Sequence, residues 1–246
     1  MPAVKTPIEI KLKFLVPAAA RAGVATEMAR AAASLERSSL AAMYLDTEDR
    51  LLARAGFSWR LRREGRRWIQ TLKAAGRDAA EQHEVIRPDA SHDAAAHADT
   101  PVGKQLAAIL KRARASNAAV GVRFRTEVRR MVRRVRTRGA VVEVAFDEGR
   151  IVSAAASQRI REIEFELASG SAAAMLALVE RWRARFGLLY DPRGKTERGN
   201  RLASGSNFPP LRKASGQAIR ATQRSAKPSA RFWASAWHRS PAMPSA

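Results

Sequence analysis

The chain has 246 residues, with 45 Lys and Arg against 23 Asp and Glu, four His, no Cys and a net charge of +22. Length and a 46% hydrophobic content suit one domain, or one domain with an extension. The lack of cysteine excludes a disulfide scaffold, thiolate zinc, iron–sulfur clusters and a cysteine nucleophile.

The N-terminal MPAVKTPIEIKLKF has no signal-peptide-like apolar stretch, and no later apolar run nears the roughly 18 residues that cross a bilayer. The expectation is a cytoplasmic protein with no membrane partner. IEIKLKF (8–14) alternates strictly, placing Ile8, Ile10, Leu12 and Phe14 on one strand face and Glu9, Lys11 and Lys13 on the other. Pro17 and the Ala-rich stretch to about Arg37 read as a helix, and Met43–Leu45 as a short strand before the turn-like Asp46–Asp49. Strands are predicted near 57–63 and 67–74, joined through Glu64-Gly65-Arg66, and near 81–87. Thr100-Pro101 starts a helix to about Arg114, with a capping side chain followed by Pro at the first position. Strands follow near 122–136, 140–147 and 159–168, with Gly139 and Asp147-Glu148-Gly149 as turns. Ser171 caps a last helix whose buried face holds Leu176, Val179, the stem of Arg183 and Phe186, and which ends at Gly187. Hairpin connections and mixed elements predict an antiparallel α+β domain.

The charge is uneven. Residues 54–77 hold eight basic residues against Glu64, and residues 123–138 hold eight Arg against Glu127, in both cases alternating with apolar residues at the period of strands. No acidic residue follows Glu197, and residues 207–246, rich in Pro, Ser and Ala, carry +7. This tail is expected to be disordered, or the remnant of a downstream domain. Two architectures accommodate the charged rows: a sheet with one solvated face, or a closed antiparallel barrel that is apolar outside under helices and polar within.

IEIKLKF, YLDTEDRLLARAGFSWRLRREGRRWIQTLKAAG, FRTEVRR, VEVAFDEG, EIEFELASG and GKTERG follow one another in this order. Together they resemble the CYTH superfamily, also called the triphosphate tunnel metalloenzymes, in its bacterial inorganic-triphosphatase branch, over about residues 8–202. The resemblance implies a closed β-barrel with flanking helices, whose polar tunnel holds a triphosphate by basic residues and a divalent metal, Mg²⁺ or Mn²⁺, by carboxylates. The expected organisation is a tunnel domain over 5–202 and the basic tail over 203–246, without the helical CHAD domain that many members carry downstream.

By the same resemblance, Glu9, Asp147, Glu162, Glu164 and Glu166 would bind metal, with Glu143 on the face of Asp147. Arg60, Arg62, Lys73, Arg130, Lys195 and Arg198 would bind substrate, and Lys13, Lys73 and Arg130 would act in catalysis. In FRTEVRR the family arginine falls on Arg130, with Arg129 one residue away. Gln82-His83-Glu84 keeps the carboxylate of a family Arg-x-Glu pair and lacks its arginine. The opening motif departs at Lys11, where the family has a second glutamate. The implied function is metal-dependent hydrolysis of inorganic triphosphate or a short polyphosphate, with thiamine triphosphate or a nucleotide as other substrates. The alternative is a phosphoanion-binding module made catalytically weak by Lys11. Nucleic-acid binding would involve the basic tail and Arg-rich strands, and the oligomeric state is open.

Two decoys are set aside. Gly194-Lys195-Thr196 resembles the end of a Walker A loop, but Leu189 stands where its first glycine belongs. His83, His92, His97 and His238 lack ligand spacing and are expected at the surface.

Overall fold

In the computed structural model of the chain, the structure describes residues 10–30, 35–74 and 81–206. All of these belong to one compact unit, Met1–Asn207. Glu9 and the tail from 207 onward lie outside the described residues. Nine strands form one sheet: β1 (Lys11–Leu15), β2 (Glu36–Thr47), β3 (Phe57–Glu64), β4 (Arg67–Ala74), β5 (Glu81–Arg87), β6 (Val120–Thr137), β7 (Ala140–Ser153), β8 (Ser157–Gly170) and β9 (Leu189–Tyr190). The helices are α1 (Arg21–Ala29), α2 (Leu51–Arg54), α3 (Pro101–Ala115), α4 (Ala172–Phe186) and α5 (Lys195–Ala203). Among the described residues no helix is long and apolar enough to cross a membrane.

The antiparallel sheet has the order β5-β4-β3-β2-β6-β7-β8-β1-β9 and, among the described residues, two unpaired edges, β5 and β9. The expected closed barrel is therefore corrected to an open, curled sheet. β9 is two residues long and is followed by Asp191-Pro192, and Pro has no N–H with which to extend a ladder. Curvature still brings β1 and β5 to one cavity, because Lys11 and Lys13 line it together with Gln82 and Glu84.

Alternation decides which face is which. Phe57, Trp59 and Leu61 turn to the convex face and pack with Leu52 of α2 and Val102, Leu106 and Ile109 of α3. A second convex core joins Phe14, Val144, Phe146, Ile163 and Phe165 to Val24 and Met28 of α1 and to Met175, Leu178, Val179 and Trp182 of α4. The concave face is polar along most of its length. Its apolar end (Ala42, Tyr44, Phe124, Val128, Ile151, Ile160) packs with Leu202 of α5. Helix α5 thus covers, from one side, part of the face that strand closure would have enclosed.

Thr100 caps α3 as expected, its hydroxyl accepting from the Gly103 N–H at 3.0 Å, and left-handed Gly187 ends α4. Three expectations change. The Ala-rich helix is only Arg21–Ala29, and β2 runs over twelve residues because its ladder with β6 outweighs the helix propensity of single residues. Asp147-Glu148-Gly149 is no turn but lies inside β7, paired on both sides. A Cβ at Gly149 would lie 1.8 Å from the Glu127 carbonyl oxygen, so this glycine permits a close strand approach. The buried face of α4 is rotated toward Met175, Leu178 and Trp182, leaving Leu176 and Phe186 partly exposed.

Gly199 is the contact on which α5 seats. A Cβ there would lie 2.1 Å from Phe124 Cε2, and Phe124 is stacked on Tyr44 with ring centroids 4.4 Å apart. In an exposed helix Gly→Ala would stabilise by about 1 kcal/mol. Here the clash with a fixed ring wins. Gly199→Ala is expected to lower stability by about 1–3 kcal/mol, read by thermal denaturation, and a raised Tm would contradict this seating.

Candidate active site

The concave face holds a cavity of about 560 Å³ lined by seven cationic side chains (Lys11, Lys13, Arg60, Arg62, Lys73, Arg130, Lys195) and four carboxylates (Glu84, Asp147, Glu164, Glu166). It has two chemically distinct walls.

The wall from β3 to β5 is basic. Spacing by two on β3 puts Arg60 and Arg62 on one face, and Lys73 follows on β4. The Nη2 of Arg60 is 3.7 Å from Glu84 Oε1, and the Nη2 of Arg62 is 2.7 Å from Glu64 Oε1. The Nε atoms of both arginines are buried without an acceptor among the described residues. Burial, and then the neighbouring charge of Arg60, press the pKa of Arg62 below its ordinary value. Glu84 is occupied locally, accepting from the Thr71 hydroxyl at 2.9 Å and from Gln82 Nε2 at 3.1 Å. This wall therefore carries more positive than negative charge, an excess that an incoming anion would offset.

The wall from β6 to β8 is a network of carboxylates and cations. Cross-strand register sets Arg130 opposite Asp147, and Asp147 opposite Glu162. Arg130 grips Asp147 with both prongs, Nε to Oδ1 and Nη2 to Oδ2 at 2.7 Å each, and reaches Glu164 at 3.4 Å. Lys195, at the start of α5, donates to Asp147 Oδ2 at 2.7 Å and also to Glu162, while Arg198 donates to the other oxygen of Glu162. Burial alone would raise the Asp147 pKa, but Arg130 and Lys195 outweigh it and hold the carboxyl below its ordinary value. Burial would likewise lower the Lys195 pKa, yet Asp147, Glu162 and Glu164 raise it. Lys13, 8% exposed, behaves oppositely: burial dominates, and its pKa is lowered despite the charge of Glu162.

One oxygen each of Asp147, Glu162 and Glu164 lie within 4.8 Å of one another. Such a set of oxygen donors fits a hard divalent cation. Of the five carboxylates expected to bind metal, these three converge. Glu166 stands apart, opposite Lys11 on β1 and paired with its Nζ at 2.8 Å, and Glu9 is outside the described residues. Glu143 is opposite Glu166 and 3.8 Å from Arg134, away from the cluster. Of the six expected substrate ligands, Arg60, Arg62, Lys73, Arg130 and Lys195 line the cavity. Arg198 is buried behind it on Glu162. The Arg129/Arg130 ambiguity resolves through the pleat: Arg130 faces the cavity and Arg129 does not line it.

The hydroxyls of Ser58, Thr126 and Thr196, not among the expected site residues, also line the cavity, and Ser58 and Thr196 lie 3.2 Å apart. Ser58 precedes Arg60 by two and Thr126 precedes Arg130 by four, so strand period was the available signal. His97 corrects the expectation of surface histidines. It is fully buried, accepting from Gln70 Nε2 at 2.8 Å and lying 2.8 Å from His83 Nδ1, and burial followed by the charge of His83 pulls its pKa down to about 4.

Residues 7–199 match the family model described as the CYTH domain. Among curated proteins the chain is similar to an inorganic triphosphatase of Haemophilus influenzae, at 29% identity over 161 residues, covering 65% of this chain and 45% of the relative. The chain thus spans less than half the length of that relative. Among solved structures it is similar to HpAC1 of Hippeastrum, described as revealing a dominant triphosphatase activity. That likeness covers 82% of this chain and 98% of the other at 16% identity, with a TM-score of 0.56. At such identity the likeness is one of fold.

Proposed function

This chain belongs to the CYTH domain family, and on that premise we propose that its concave cavity hydrolyses inorganic triphosphate in a metal-dependent reaction. Water cleaves a terminal phosphoanhydride bond, and orthophosphate and pyrophosphate leave. The observation that carries the reading is the pair of buried Nε donors of Arg60 and Arg62, without an acceptor among the described residues, in the same cavity as Asp147 and Glu164 of the carboxylate cluster. Bare phosphoryl oxygens supply the missing acceptors, and two guanidinium forks two residues apart suit a small, dense anion. The similarity to a curated inorganic triphosphatase supports triphosphate as the first substrate to try.

In this reading Arg60, Arg62 and Lys73 bind the phosphates from one side. Arg130 and Lys195 meet them from the other and offset charge that develops in the transition state. Lys13, buried at the cavity wall with a lowered pKa, orients the attacking water. Asp147, Glu162 and Glu164 would hold Mg²⁺ or Mn²⁺, whose chemistry there is to neutralise phosphoryl oxygens.

A second reading, a phosphoanion-binding module with weak catalysis, is favoured by the Lys11–Glu166 pair, which engages a carboxylate expected to bind metal. One experiment separates the two: phosphate release from tripolyphosphate with Mg²⁺, with Mn²⁺ and with EDTA, for wild type and Lys11→Glu. The hydrolase reading expects metal-dependent release by the wild type that EDTA abolishes. Tight binding without release, with release gained on Lys11→Glu, would establish the binding module instead.

A further inference from the structure

The convex face is not wholly covered. Between the core under α1 and α4 and the core under α2 and α3, strands β2, β6 and β7 leave a strip beside the β3–β4 hairpin. A cavity of about 860 Å³ lies there, larger than the candidate active site. Register assembles its wall: Ser39 is opposite Arg129, and Ala41, the small residue of the floor, is opposite both Arg63 and Glu127.

The charges of this groove do not balance. Glu127 is matched by Arg150, whose Nε donates to it at 2.8 Å, and Glu148 is matched by Arg21, whose Nη2 donates at 3.3 Å. Arg37, Arg63 and Arg129, all exposed, line the same cavity with no carboxylate partner among the described residues. The exposed residues Ser38 and Ser39 add hydroxyl donors beside them. Among the described residues no aromatic side chain lines the groove, and none of them offers a platform for stacking bases. Nor is it part of the convergent carboxylate set that fits a metal ion.

We propose that this outer groove is a second binding site, for a linear inorganic phosphoanion of the oligophosphate class, and that it works without a metal. Three guanidinium groups and two hydroxyls match tetrahedral oxyanions, and the two carboxylates are already neutralised. The same pleat that turns Arg130 into the concave cavity turns Arg129 out to this groove. The proposal holds whether or not the concave cavity is catalytic.

The test is calorimetric titration of tripolyphosphate into the full chain, in EDTA and at physiological ionic strength. It compares wild type, Arg60→Ala/Arg62→Ala, Arg37→Ala/Arg129→Ala and the quadruple variant, with thermal denaturation confirming that each is folded. Two sites are expected in the wild type and one in each double variant. The site that survives in Arg60→Ala/Arg62→Ala should weaken about tenfold or more in the quadruple variant. Arg37→Lys/Arg129→Lys, which keeps charge and loses the forks, should fall between. The proposal is overturned if the quadruple variant binds as tightly as Arg60→Ala/Arg62→Ala, or if that double variant binds no tripolyphosphate. It is equally overturned if a single-stranded oligonucleotide displaces the anion at matching concentration, which would make the groove a nucleic-acid surface. Loss of hydrolysis in Arg60→Ala/Arg62→Ala bears on the concave cavity alone, so the two readings fail separately.

Discussion

Arg60→Ala is expected to lower phosphate release from inorganic triphosphate about 10²–10³-fold while the protein remains as stable as the wild type. The two halves of this expectation have separate causes. In the proposed reaction Arg60 would provide a fork to phosphoryl oxygens, and its buried Nε has no acceptor among the described residues. Structurally, the guanidinium holds little in place, since its ion-pair contact is to Glu84 at 3.7 Å and Glu84 keeps Thr71 and Gln82 as donors. Removing the charge also relieves Arg62, whose pKa it depresses. Steady-state phosphate release and a thermal melt check both halves. Arg60→Lys, with charge but no fork, should retain an intermediate rate. Activity within threefold of wild type in Arg60→Ala would end the hydrolytic assignment of this wall.

Asp147→Ala should act the other way round, striking stability first. Asp147 is fully buried, takes both prongs of Arg130 and accepts from Lys195. Its removal leaves two cations short of a counter-charge in a poorly solvated place, a defect that costs about 3–5 kcal/mol in buried pairs. The low end of that range is expected, because Lys195 keeps Glu162 and Arg130 keeps Glu164. Urea unfolding at neutral pH measures the loss. The pH dependence follows from the lowered pKa of Asp147. In the unfolded chain the group protonates at its ordinary value, and in the folded chain only at lower pH. Its contribution is therefore complete above the ordinary carboxyl range and is lost as pH falls through the folded value. Wild type and variant should converge in acid, and a stability gap that persists unchanged there would show that packing, not charge, is what Asp147 supplies.

Much of the candidate site is legible along the chain because strand side chains alternate with a period of two. That alone puts Arg60 with Arg62, Thr71 with Lys73, and Glu162 with Glu164, and it separates them from Trp59, Leu61, Ile163 and Phe165. Helix α3 is equally local, since Thr100-Pro101 carries both its cap and its first turn. Other features depend on partners distant in sequence. Asp147-Glu148-Gly149 has turn composition, yet its pairing with Val128, Arg129 and Arg130 on β6 and with Ile160, Arg161 and Glu162 on β8 holds it extended. Residues 36–42 look helical or featureless until β6 pairs with them. His97 is polar and lies near a loop, yet Gln70 and His83 bury it.

The amino-acid sequence by itself determined which side chains share a face, and hence that carboxylates and cations meet on one side of a sheet. That follows from backbone geometry, which is the same in every strand. Tertiary structure alone decided whether the edges of that sheet meet, because edge pairing depends on accumulated twist, the length of β9 and the space that α5 takes. It also decided which carboxylates converge. Glu166 obeys the same alternation as Glu162 and Glu164, but register sets it opposite Lys11, so its charge goes to an ion pair and not to the cluster.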